Sequence, residues 1–241
     1  MKTRLIIAIA NLSGLIALAQ VNSNNGIALE YEDIKNPTVA SGKLAYPTDA
    51  LLNQDAFVIR ALEEKPIDFL GVPFGSTVDS NATATAYCWD KCWYRISSEA
   101  EAFGEPKRLS IYMSMKSRTI FAVDVGYHFE GEDAYEKREV ELKRILDFLN
   151  RNYGITGKFL IRSKQKWAEE NAEWLVEKRR GAGGVGTADY DLGNGLVCRV
   201  RCHDALGREP GKERVSIYVS FIYPVKMFLA KIESGKENFN W

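Results

Sequence analysis

Cys88-Trp89-Asp90-Lys91-Cys92 leads into Arg108-Leu109-Ser110-Ile111-Tyr112-Met113-Ser114, and the same order recurs later in the chain. There Cys198-Arg199-Val200-Arg201-Cys202 leads into Arg214-Val215-Ser216-Ile217-Tyr218-Val219-Ser220. A Glu-Pro separates the two parts each time, at Glu105-Pro106 and Glu209-Pro210. Successive strand residues face opposite sides of a sheet. Ile111, Met113 and Met115 therefore point one way, and Ser110, Tyr112 and Ser114 the other. Ile217, Val219 and Phe221 against Ser216, Tyr218 and Ser220 repeat that division in phase. One apolar and one polar face is the pattern of an antiparallel sheet covered on one side. The fold expected is α+β: two related halves, each of antiparallel strands with a covering helix, sharing one sheet or packing closely.

The copies are imperfect. From the second cysteine to the serine they span 18 positions in the first and 14 in the second. Around them the pattern predicts strands at 83–96, 109–115, 119–129, 158–161, 189–192, 196–203, 215–222 and 225–232. Helices are expected from Pro47-Thr48-Asp49 onward, with Leu51, Val58, Ile59 and Leu62 on one face, and over 133–153. In the latter, Tyr135, Leu142, Ile145, Leu146, Leu149 and Tyr153 follow helical spacing, and Gly154 supplies a C-terminal cap. A third helix is expected from Ser163 to Arg180, with Glu169, Glu170 and Glu173 on its wet face.

The organisation that follows is a signal peptide over 1–19, an irregular N-terminal arm over 20–46, a first half over 47–130, a second over 131–233, and a polar tail over 234–241. Between the first helix and the first strand, two glycines and a proline among large apolar residues predict a tight, packed turn. Its Gly71-Val72-Pro73-Phe74-Gly75 resembles the G-x-P-F-G opening of small secreted bacterial α+β modules of unknown role. The resemblance implies no activity.

Lys2 and Arg4 precede an apolar run, and Ala17-Leu18-Ala19 places small residues two apart before Gln20. That is the layout of a secretory signal cleaved after Ala19. Asn11, Ser13 and Gly14 interrupt the run, which is too short for a membrane anchor. The expected address is the periplasm or the medium, with no membrane span in the mature chain. Basic and acidic residues number 32 each, so no surplus charge draws the chain to nucleic acid.

An oxidising address makes Cys88, Cys92, Cys198 and Cys202 candidates for two disulfides. Residues four apart in a strand are separated by about 13 Å, whereas bonded cysteines need Cα atoms within about 7 Å. Neighbouring antiparallel strands would pair Cys88 with Cys202 and Cys92 with Cys198. Parallel strands would pair 88 with 198 and 92 with 202, and a bulge or turn would allow 88–92 and 198–202. Zinc sites use Cys-x2-Cys knuckles and redox pairs use Cys-x-x-Cys, so a spacing of three fits neither. Cys198-x3-Cys202-His203 is a stretched form of a haem attachment site, but Trp93 stands where the first copy would need its histidine. No metal or cofactor is implied.

Gly181-Ala182-Gly183-Gly184-Val185-Gly186 matches Gly-x-Gly-x-x-Gly but follows a helix and precedes a strand, the reverse of a dinucleotide turn. His128 and His203, the two histidines, lie far apart in sequence on separate strands, and no nucleophile elbow or phosphate loop is present. Tyr87, Trp89, Lys91, Trp93 and Arg95 share a strand face and form a candidate partner-binding platform, unless a helix covers the tryptophans. The expectation is a non-catalytic binding protein of the bacterial envelope, with a protein or glycan partner. The alternative is a hydrolase of envelope or extracellular polymers whose carboxylates meet only in three dimensions.

Overall fold

The structure is a computed structural model that describes residues 26–33, 44, 47–79, 85–87, 93–103, 105–131, 133–163, 185–205 and 214–235. The expected signal peptide, the helix over 163–180, the polar tail, and the residues Cys88, Trp89, Lys91 and Cys92 lie outside or almost wholly outside that set. In chain order the elements are β1 (Ile27–Asp33), α1 (Thr48–Leu52), α2 (Gln54–Glu63), β2 (Ile67–Phe69), β3 (Val72–Phe74), β4 (Thr85–Tyr87) and β5 (Trp93–Ala102). They continue with β6 (Glu105–Met113), β7 (Ile120–Glu130), α3 (Ala134–Tyr153), β8 (Gly157–Ser163), β9 (Val185–Asp191), β10 (Val197–Ala205), β11 (Arg214–Ile222) and α4 (Pro224–Ser234).

Nine described strands form one sheet in the order β1-β8-β9-β10-β11-β7-β6-β5-β4, and β2 pairs with β3 apart from it. Every pairing is antiparallel except that of β1 with β8. The two expected halves thus share a sheet, joined where β7 runs against β11 from Ala122↔Ile222 to Glu130↔Arg214. The protein has the α+β architecture that the doubled stretch implied.

Alternation then divides the residues between two layers. Ile111, Val123, Val125, Cys198, Val200, Ile217, Val219 and Phe221 meet Leu142, Ile145, Leu146 and Leu149 of α3. Each such side chain contributes about 1.5–3 kcal/mol when fully buried. On the other face Trp93, Tyr112, Ala122 and Ile222 meet Phe57 and Ala61 of α2 and Met227 to Ala230 of α4. Gly154 closes α3 in the left-handed region (φ 64°), as its position predicted. No helix among the described residues is long and apolar enough to cross a membrane.

Four local expectations give way. The segment 225–232, expected as a strand, is α4: Pro224 starts it and Gly235 caps it at φ 64°. Lys226, Met227, Phe228, Leu229 and Ala230 are all buried, so the run carries no amphipathic period to separate helix from strand. The first helix is broken by Asn53, whose side chain accepts the Ala56 N–H at 3.1 Å and starts α2 afresh. After that restart Phe57 and Ala61 face the core, while Leu51, Ile59 and Leu62 are exposed.

The strand expected over 83–96 is two, β4 and β5, which pair through Thr85↔Arg95 and Tyr87↔Trp93. The arm expected to be irregular contains β1, paired along its length with β8. By contrast, the packed turn at 67–77 is as its residues suggest. Leu70 (φ 52°) and Gly71 (φ 68°) form the two-residue bend between β2 and β3. Val72 and Phe74 are buried, and the Gly75 N–H donates to the Ile120 carbonyl at 2.8 Å.

Candidate functional site

α2 and α4 cover only one end of their face of the sheet. The central strand β7 is buried from Ile120 to Val123, and its alternate residues Gly126, His128 and Glu130 are then exposed. Beyond Val125, the last β7 residue paired with β6, the strand is held by β11 alone among the described residues, and Gly126 is exposed there. Gly126 is paired with Tyr218, so the Tyr218 ring stands beside a stretch of bare backbone. A Cβ on Gly126 would lie 3.4 Å from His128 Nε2 and 3.6 Å from Tyr218 Cδ1.

Register assembles the rest in cross-strand rows. The outer row is His203–Ser216–His128, because Ser216 pairs with His203 on β10 and with His128 on β7. His128 Nδ1 and Ser216 Oγ are 2.9 Å apart. The second row is Arg201–Tyr218–Gly126. Both imidazoles pack edge-to-face on Tyr218, with centroids at 5.5 Å for His128 and 5.9 Å for His203. The third row is Asp189–Arg199–Ser220–Asp124–Ser110. Arg199 grips Asp189 through two bonds of 2.7 and 2.8 Å. Arg201 donates to Ser220 Oγ at 3.1 Å and lies 3.7 Å from Asp124. From the other side, Arg108 of β6 reaches Ser97 Oγ at 3.4 Å.

Burial holds the Asp124 carboxyl above the usual carboxylate range, against the opposing pull of Ser220, Arg201, Tyr112 and Arg199. Asp124 Oδ1 and Arg201 Nε are shielded from solvent and have no hydrogen-bond partner. The rows thus grade from a desolvated polar layer next to α4 to a wet rim of imidazole, hydroxyl and phenol.

Of the platform expected from sequence, Trp93 is 6% exposed and packs edge-to-face on Tyr112 at 6.4 Å, within the layer under α4 and α2. It offers no stacking surface. Arg95 is half-buried, only the backbone of Tyr87 is described, and Trp89 and Lys91 lie outside the described residues. Cys198 and Cys202 are buried thiols on the α3 side, and their place in one regular strand keeps them from bonding to each other. The neighbours of β10 are β9 and β11, whereas β4 and β5, which flank 88–92, close the opposite end of the sheet. Cys88 and Cys92, the partners expected for them, lie outside the described residues. Gly186, last of the apparent dinucleotide glycines, lies in β9, where a Cβ would come 2.8 Å from the Leu160 carbonyl.

The chain matches no protein-family model, no curated protein and no solved structure. Its site must be read from its own chemistry. Sequence reasoning set His128 and His203 aside as distant in sequence and read Ser216 and Tyr218 as a polar strand face, and nothing in sequence said that the two histidines would flank the same serine.

Proposed function

We propose that the chain is a non-catalytic binding protein of the cell envelope, and that its partner docks on the open half of the sheet face over Gly126. The observation that carries this reading is an exposed glycine on β7, paired with Tyr218, whose ring packs against both histidines. A binding surface needs rigid groups with their hydrogen-bonding capacity turned outward, and side chains on paired central strands are so held.

Catalysis is poorly served by the same geometry. Ser216 and His128 are within hydrogen-bond reach. However, β11 is paired along its length with both β10 and β7, so the backbone N–H groups around Ser216 are committed to the ladder and cannot form an oxyanion hole. The hydrolase alternative needs two carboxyl groups about 5–10 Å apart. Asp124 and Asp189 share a row but are three strand spacings apart, about 14 Å between backbones.

The test is a footprint that does not require the partner's identity. Diethyl pyrocarbonate modification of His128 and His203 is followed by mass spectrometry, with and without solubilised envelope material. Protection of both histidines, with no polymer released, is the expected result. Unchanged labelling of both, or polymer release that Ser216→Ala abolishes, would overturn the reading.

A further inference from the structure

We infer that the outer face of α2 is a second docking surface, and that its occupant is an amphipathic helix of a partner protein with basic side chains flanking its apolar stripe. This surface stands apart from the sheet face over Gly126. Among the described residues five large apolar side chains are exposed, and four of them fall between positions 51 and 62. They are Leu51 (69% exposed), Leu52 (81%), Ile59 (61%) and Leu62 (50%). Apolar residues scattered singly over a surface are ordinary, whereas a cluster of a few hundred Å² marks an interaction site.

The shape of the cluster selects a helix. At about 100° per residue, Asp55, Val58, Ile59 and Leu62 share an arc of α2 about 100° wide, on the side away from the buried Phe57 and Ala61. Val58 and Leu62 form one i,i+4 row, and Asp55, Ile59 and Glu63 form the next. The groove between two such rows receives the side chains of a packed helix. α1 packs beside α2 and brings Leu51 and Leu52 to its N-terminal end.

Charge then selects the partner. Asp55 and Glu63 are exposed and have no ion-pair partner among the described residues. Arg60, the single cation of α2, is turned away, with its guanidinium 5.4 Å from the centre of the Phe57 ring. Lys65 comes after the helix has ended. A second copy related by a two-fold axis at Ile59 would set Asp55 opposite Glu63, like against like. A helix that lies on an anionic lipid surface carries Lys and Arg beside its apolar face, and α2 presents none there. A basic amphipathic helix satisfies both conditions. Its apolar side chains enter beside Val58, Ile59 and Leu62, and its flanking cations meet Asp55 and Glu63, as e and g charges do in a coiled coil.

The test uses the full purified chain and two synthetic helical peptides of about eighteen residues. Both carry the same leucine stripe, and the remaining positions are lysine in one and glutamate in the other. Fluorescence anisotropy of the labelled peptides reads binding. The lysine peptide is expected to bind with a Kd on the order of 10 µM, and the glutamate peptide at least about tenfold more weakly. Ile59→Ser with Leu62→Ser alters only exposed side chains, so the thermal transition is retained, and lysine-peptide binding is expected to fall about tenfold or more. Asp55→Asn with Glu63→Gln is expected to weaken it about three- to tenfold and to flatten its salt dependence. Lysine-peptide binding left unchanged by either double variant would overturn the inference, as would equal binding of the two peptides or binding of neither. Self-association that Ile59→Ser with Leu62→Ser abolishes would overturn it in favour of a second copy. Attachment to phosphatidylcholine vesicles that the same variant abolishes would overturn it in favour of a lipid surface.

Discussion

Lys226 is a buried cation whose replacement tests how the α2–α4 layer is fastened. It is 1% exposed, in the first turn of α4. Its ammonium donates to the carbonyl of Ala61 and, at 3.1 Å, to that of Glu64. Both belong to the end of α2, where the last carbonyls of a helix lack intrahelical donors. Tyr223, just before α4, contacts the Glu64 carboxylate at 3.2 Å and the Lys65 carbonyl at 3.3 Å, closing the same helix end. Gly75 allows this packing: a Cβ there would fall 3.0 Å from Lys226 Cε and 3.2 Å from the Tyr223 ring.

The sign of Lys226→Met depends on which of two large terms wins. Two charge-assisted bonds contribute about 1.5–3 kcal/mol each, and taking the ammonium out of water costs several kcal/mol. As it stands, the lysine is near balance. Methionine restores neither acceptor, and each buried carbonyl left unpaired costs about 1–3 kcal/mol. The apolar end of methionine returns about 1 kcal/mol. The expected net loss is about 3 kcal/mol, or a fall in Tm of about 6–12 °C for a chain of this size.

Urea and thermal unfolding measure it, with exposed Lys137→Met as a control expected within about 0.5 kcal/mol. Burial also lowers the pKa of Lys226 from its ordinary 10.5. As pH rises toward 10.5 the unfolded chain still holds a proton the folded chain has lost, so stability rises there. That rise should be present in the parent chain and missing in the variant. A neutral or stabilising Lys226→Met would refute the reasoning, because it would mean that the α2 carbonyls find other donors and the ammonium is only a cost.

Two further outcomes are expected. Burial pushes the Cys198 thiol far up, with the charge of Asp189 adding to the effect, and Cys202 is equally enclosed. Native protein should therefore leave both thiols unmodified by a thiol reagent, and denaturant should release them; native labelling within minutes would contradict this. Asp124 has its pKa raised by burial, so between its ordinary 3.8 and its folded value only the folded state is protonated. Acidification through that window should stabilise the parent chain relative to Asp124→Asn, and denaturation at pH 7, 5.5 and 4 should show the gap shifting in the parent's favour. No shift would mean that the carboxyl is hydrated.

What was legible in the sequence followed from period. Ile217, Val219 and Phe221 are wholly buried and Ser216 and Tyr218 lie on the opposite face, because one core face leaves a strand a single phase. The helix over 133–153 was legible for the same reason, with a polar face to contrast with Leu142, Ile145 and Leu149. α4 was not, because a run buried on every side carries no period. Nor was the site. That Ser216 would lie between His128 and His203 is a matter of which strands become neighbours, and β7 reaches β11 across more than eighty residues of intervening chain.

The doubled stretch is real in its strands but not in its cysteines. Tyr112 is paired with Arg95, and Arg95 with Thr85; Tyr218 is paired with Arg201, and Arg201 with Thr187. Aligned on those rows, Cys202 corresponds to Ile96, each opposite the isoleucine of its Ser-Ile-Tyr run, and not to Cys92. The common unit is thus a three-stranded meander carrying a Thr-Arg-Tyr row. β6 and β11 flank β7 from opposite sides, but Tyr112 meets it at Ala122 and Tyr218 at Gly126. Four residues of strand are about 13 Å, more than the diameter of the helix that covers this face. That stagger places Tyr112 under α4, 6% exposed, and leaves Tyr218 outside that layer, half-buried against His128 and His203. The same tyrosine is core in one copy and candidate binding surface in the other, and register along β7 makes the difference.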